Sequence, residues 1–111
     1  MDSTLDVARS FVHAVQERDA DAAAALCTED VEVTLPGVPM PFQGKDGVRQ
    51  MIRMAPTELV QTPRDEAVAG STVRITTLTR APGVFASYTT WNFEIDGELV
   101  RRLSFELRAA N

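Results

Sequence analysis

The chain has 111 residues, 44% hydrophobic and 24% charged, which suits one domain with a core of its own and argues against disorder. Sixteen acidic residues against eleven basic ones leave a net charge of −5, and Arg101-Arg102 is the sole basic pair, so the footprint of a nucleic-acid or anionic-membrane binder is absent. One cysteine (Cys27) and one histidine (His13) exclude an intrachain disulfide and a structural zinc site; neither metal nor cofactor is expected.

The start, Met1-Asp2-Ser3-Thr4-Leu5-Asp6, lacks the basic-then-apolar order of a signal peptide, and the longest apolar run, Ala22 to Cys27, is far short of a membrane span. A single domain over residues 1–111 in a reducing cytoplasm is the expectation. One lysine beside ten arginines and fourteen alanines suits a GC-rich bacterial genome.

Ser3 to Arg18 reads as a helix, with Ser3 and Asp6 spaced as a capping box. At 100° per residue, Leu5, Val7, Ala8, Phe11, Val12 and Val15 form one stripe, and His13 falls opposite it, in water. Asp19 can cap a short second helix, Ala20 to Cys27. Val31 to Leu35 alternates with period two, turning Val31, Val33 and Leu35 to one side and Glu32 to the other. Pro36, Pro39 and Pro41 then break the pattern, and the segment to Phe42 forms a loop. Lys45 to Met54 returns to helical spacing with Val48, Met51 and Ile52 buried, and Pro56 ends it.

The remainder reads as a meander. Glu58 to Ala69 is a strand in which Pro63 marks an edge or a bulge. Ser71 to Arg80 is rich in β-branched residues. Val84 to Ile95 and Glu98 to Arg108 are joined by Asp96-Gly97, a strong hairpin signal. Helices first and strands later make the α+β class.

Several spaced segments carry a family likeness: Arg18-Asp19-Ala20-Asp21-Ala22-Ala23 ahead of Leu26 and Glu29-Asp30-Val31, then Gln43-Gly44-Lys45-Asp46-Gly47-Val48, then Phe93-Glu94-Ile95-Asp96-Gly97-Glu98-Leu99-Val100. With this element order the chain resembles the NTF2-like superfamily, and within it the SnoaL-like, polyketide-cyclase-type branch. The resemblance spans the whole chain. It implies a curved antiparallel sheet wrapped round N-terminal helices as a cone with a pocket at its open end, and a dimer through the outer sheet face. It leaves function open, because one fold hosts many functions.

Ketosteroid isomerase, one member, needs a carboxylate base and an oxyanion hole of a tyrosine and a protonated acid. Aligned on these segments, those roles fall on Leu35, Phe11 and Trp91, all without the required group, so that mechanism is argued against. Epoxide hydrolysis wants two acids flanking an arginine. Glu32, Glu94 and Glu106 alternate outward, while Glu58 and Glu66 lie on a strand of unread register. A dehydratase-type site wants a histidine with an acid, and His13 reads as solvated.

The residues expected at the pocket are Phe11, Leu35, Met51, Thr89, Trp91, Phe93, Arg101 and Leu103. Trp91, with Thr89 and Phe93 on its face, is either an aromatic wall or core filling. Ser87 and Thr89 can supply hydroxyls, and Met40, Met51 and Met54 an adaptable apolar patch. Arg101 interrupts the face of Leu99, Leu103, Phe105 and Leu107. It either reaches into the cone towards a ligand oxygen, or sits at the rim or against a structural acid. Tyr88, Leu78, Val84 and Val100 are expected on the outer face, where they suit a twofold homodimer. The function expected is a pocket for an apolar, cyclic small molecule, with isomerase, cyclase or hydrolase chemistry if it is catalytic. The alternative is a non-catalytic dimerisation or protein-interaction module.

Overall fold

The apolar stripe of the first helix decides how everything else is arranged. In the computed structural model, which describes residues 3–55, 59–83 and 85–109, this helix is α1 (Ser3–Gln16). Val7, Ala8, Phe11 and Val12 are buried, and His13 is exposed. α1 stops two residues earlier than its spacing suggests, because Arg18 takes a left-handed backbone with φ 56°. The Asp19 side chain accepts the Ala22 N–H at 3.0 Å and starts α2 (Ala20–Ala25).

α2 is shorter than expected because the sheet claims the chain first. The Leu26 carbonyl accepts the Val100 N–H at 2.7 Å, and β1 (Cys27–Thr34) begins at once. β2 (Phe42–Gln43), too short to show as alternation, runs into α3 (Gly44–Met54), which buries Val48, Met51 and Ile52. A side chain at Gly47 would meet the Phe42 carbonyl carbon at 3.0 Å, so this glycine lets α3 lie close on β2. β3 (Val60–Ala69), β4 (Thr72–Ala81), β5 (Phe85–Asp96) and β6 (Leu99–Ala109) form the meander. The helix stop at Pro56, Glu58, Val84 and the Ser3 side chain lie outside what the structure describes.

The six strands lie in the order β2-β1-β6-β5-β4-β3. All neighbours are antiparallel except β1 and β6, which run parallel. The curved sheet carries the helices on one face, α1 over β3 to β6 and α3 over β1 and β2. Between them lies a core containing Phe11, Val31, Val33, Ile75, Trp91, Phe93 and Leu103.

Two departures from strict alternation matter for the site. β3 is an edge strand, and its pairing with β4 slips between Pro63 and Asp65. A proline cannot donate to a ladder, so the bulge falls beside it. The second slip is in β6. Glu94 pairs with Arg102 while Ile95 pairs with Val100, which leaves Arg101 as the extra residue. Val100 therefore turns inward and is fully buried, whereas Leu99 is exposed, the reverse of the expected facing. The β5–β6 hairpin is also offset by one position. Asp96 pairs with Leu99, and the two loop residues are Gly97 and Glu98, with Gly97 at φ 65° as a type II′ loop requires at its first position.

Candidate functional site

At the open end of the cone, the sheet, α3 and the end of α1 enclose a cavity of about 360 Å³. The volume lies within the range of small-molecule sites. α3 and the segment after it supply Met51, Ile52, Met54 and Ala55; the β1–β2 region supplies Leu35, Val38 and Phe42. The sheet supplies Trp91, Phe105 and Leu107, and Val15 and Leu59 complete the apolar wall. Val38, Met54 and Leu107 are exposed and form an oily mouth. Four polar residues share the lining, Gln61, Thr79, Ser87 and Thr89, and no ionisable side chain does so among the described residues.

Trp91 anchors the floor. Its ring lies parallel to that of Phe93 (centroids 6.1 Å apart) and edge-on to Phe11 at 6.4 Å and Phe105 at 4.8 Å. Offset and edge-to-face pairs at these separations are favourable beyond the area they bury. The indole N–H donates to Thr77 Oγ1 at 3.0 Å, and Thr77 Oγ1–H donates to Gln61 Oε1 at 2.7 Å. Thr79 Oγ1–H donates to the same oxygen at 2.7 Å, and Thr79 and Thr89 hydroxyls lie 2.7 Å apart. Since Thr79 has given its proton to Gln61, Thr89 is the donor in that last pair.

The expected pocket residues divide into three groups. Leu35, Met51, Thr89 and Trp91 line the cavity. Phe11, Phe93 and Leu103 lie beneath it, almost wholly buried in the core. Arg101 does neither. Because it is the bulged residue of β6, its side chain emerges on the other face of the sheet and bonds Glu94, which Arg102 also approaches at 3.6 Å. The expected reach into the cone is thus corrected to an exposed ion pair with a structural acid.

A profile of the SnoaL-like domain matches residues 8–102. The chain belongs to the SnoaL-like domain family. Its fold is the NTF2-like one, as solved structures show. A protein from Sphaerobacter thermophilus is 28% identical over 96% of both chains, with a TM-score of 0.81. A protein from Kribbella flavida labelled a ketosteroid isomerase superposes with a TM-score of 0.88 at 20% identity, over 100% of this chain and 82% of that one. One from Sinorhizobium meliloti labelled a polyketide cyclase gives 0.80 at 22% identity, over 91% and 94%. Those labels belong to those proteins, and identities this low carry the fold alone. No curated protein matches the chain.

Within this SnoaL-like chain, Gln61 and Thr79 escaped the sequence reading. Gln61 pairs with Thr79 across the edge, on the same side as Glu66 opposite Ile75, but the Pro63 bulge between Gln61 and Glu66 hides that facing. The β-branched run of β4 signalled a strand, though not which threonines are buried.

The ionisable groups gather elsewhere. A more open groove of about 750 Å³ lies between α1 and β3, lined by Arg9, His13, Arg64, Asp65 and Glu66. Arg9 clamps Glu66 through two hydrogen bonds of 2.7 and 2.6 Å, which hold the Glu66 carboxyl below the usual carboxylate range. The pair is thus consumed by joining helix to sheet. Among the described residues no three metal-ligating side chains cluster. Burial pushes the Cys27 thiol up to about 12, so it is no nucleophile.

Proposed function

We propose that the cavity binds an apolar, cyclic small molecule. The observation that carries this reading is a wall of aromatic, methionine and aliphatic side chains, open at one mouth and broken only by Gln61, Thr79, Ser87 and Thr89. Such a site gains about 25 cal/mol per Å² of apolar ligand surface removed from water, without any charge pairing. If chemistry occurs there, an isomerase, cyclase or hydrolase step has to run on hydroxyl and amide hydrogen bonds, because the cavity's described lining offers no general base.

Titration of 1-tetralone, followed by calorimetry and by Trp91 emission, tests the reading. Saturable binding with a change in Trp91 intensity is expected. Heat-free titration and unchanged emission, with this and other bicyclic compounds, would overturn it.

We also propose that two copies meet through the outer sheet face. The described helices leave that face uncovered. Tyr88 lies there with the Arg108 guanidinium 5.1 Å from its ring centre, a tyrosine–arginine pair of the kind enriched at interfaces. The expected apolar patch is smaller than its sequence suggested, since Val100 faces inward and Leu78 is already nearly buried. Sedimentation at micromolar concentration decides it, and a 12.2 kDa particle rules the pairing out. A reducing cytoplasm is the proposed setting, and the free, buried Cys27 suits it.

A further inference from the structure

The polar strip has a direction, and the direction selects a ligand. Trp91 Nε1 can only donate, so Thr77 Oγ1 must accept from it. Thr77 is fully buried, and its own proton needs an acceptor, which is Gln61 Oε1 at 2.7 Å. Thr79 donates to the same oxygen. If the Gln61 amide were turned over, its NH₂ would face these two hydroxyls. Thr77, already accepting from the indole, would then keep a buried proton with no partner, a cost native structures avoid.

The amide is therefore fixed with its oxygen to the sheet and its Nε2 turned away. No described residue accepts from that nitrogen. The backbone is held as well: Gln16 Oε1 accepts the Gln61 N–H at 2.7 Å, and Gln16 Nε2 lies 3.4 Å from the Leu59 carbonyl oxygen. Gln61 stands between the two hollows: it lines the cavity alongside Leu59 and Ala55, and it also borders the groove between α1 and β3. Along the chain of bonds from Trp91 through Thr77, Gln61 and Thr79 to Thr89, it is the one described side chain with donors left over; Ser87, the other hydroxyl of the lining, stands outside that chain.

Resting on the pocket reading above, we infer that Gln61 determines specificity by donating Nε2–H to a carbonyl-type oxygen, so that the cavity selects cyclic ketones over hydrocarbons of the same shape. A preorganised donor beside an apolar wall rejects a ligand without an acceptor, because the amide hydrogens lose water and gain nothing.

Calorimetry with 1-tetralone and tetralin tests this on the wild-type chain and on two variants. Gln61→Glu at pH 8 keeps an oxygen for Thr77 and Thr79 while exchanging the donor end for a second acceptor. Gln61→Met removes both ends. The wild type is expected to bind the ketone about tenfold more tightly, and each folded variant to bind the two compounds within about twofold of each other. If Gln61→Met does not fold, Gln61→Glu decides the matter alone. Equal binding of both compounds by the wild type overturns the role of Gln61 and leaves the pocket standing. A ketone preference that survives in Gln61→Glu also overturns it and assigns recognition to another group, such as Ser87. If neither compound binds the wild type, the pocket and this inference fall together.

Discussion

Arg9 and Glu66 join α1 to the edge strand through two parallel hydrogen bonds, Nε to Oε2 at 2.7 Å and Nη2 to Oε1 at 2.6 Å. The bridge lowers the Glu66 pKa, chiefly through hydrogen bonding to Arg9. A carboxyl with a depressed folded-state pKa adds stability above its unfolded value, near 4.3, and loses it as pH falls through the folded one. Wild type should therefore melt above Glu66→Gln at pH 7, and the gap should narrow as pH falls below the unfolded value of about 4.3 and close once the lowered folded-state value is passed. Equal melting temperatures at pH 7 would show that solvent screening cancels the bridge.

Thr77 is the hinge of the polar strip, accepting from Trp91 and donating to Gln61. Thr77→Val keeps the shape and strands the indole N–H. The expected loss is about 1–3 kcal/mol in urea unfolding with an unchanged m-value. A loss below about 0.5 kcal/mol would mean that the indole finds another acceptor.

Cys27 is buried and its thiol sits at about 12. An unfolded thiol ionises near 8.5. The contribution is fully present below about pH 8.5 and falls as pH rises towards about 12, by about 1.4 kcal/mol per pH unit while only the unfolded chain ionises. Stability curves of wild type and Cys27→Ala should diverge over that window, and a thiol reagent at pH 8 should react no faster than the chain unfolds. Parallel curves would place the thiol in contact with water.

Arg101 lies against Glu94 outside the cavity. Arg101→Met should leave 1-tetralone affinity unchanged and cost about 0–1 kcal/mol in stability, as exposed ion pairs do. A severalfold loss of affinity would return it to the site.

The course from helix to sheet was legible because period carries it. The stripe through Phe11 and Val12, the cap at Asp19 and the alternation of Val31 and Val33 each follow from local geometry and meet the structure residue by residue. Places where one residue is inserted into a ladder were not legible. Alternation predicts that Leu99 and Leu103 share a face, and the bulge at Arg101 substitutes Val100. The bulge near Pro63 likewise hid Gln61, the residue on which the polar strip converges. Leu35, Met51, Thr89 and Trp91 were placed at the pocket by facing and family likeness, and they line the cavity. Phe11, Phe93 and Leu103 share that inward side but lie a layer deeper, a difference of depth that periodicity does not encode.

The parallel seam between β1 and β6, where Cys27 faces Val100 and Val33 faces Leu103, sets the order in which the molecule can be finished. The first strand leaves the ribosome long before the last one is made. Until β6 arrives, β1 has only the two-residue β2 beside it, and the wall that Phe105 and Leu107 give the cavity does not exist. Closing so long a loop makes folding slow relative to a helical chain of this length. A nascent chain therefore lacks the finished cavity, and one edge of its first strand stays unpaired until the last strand is made.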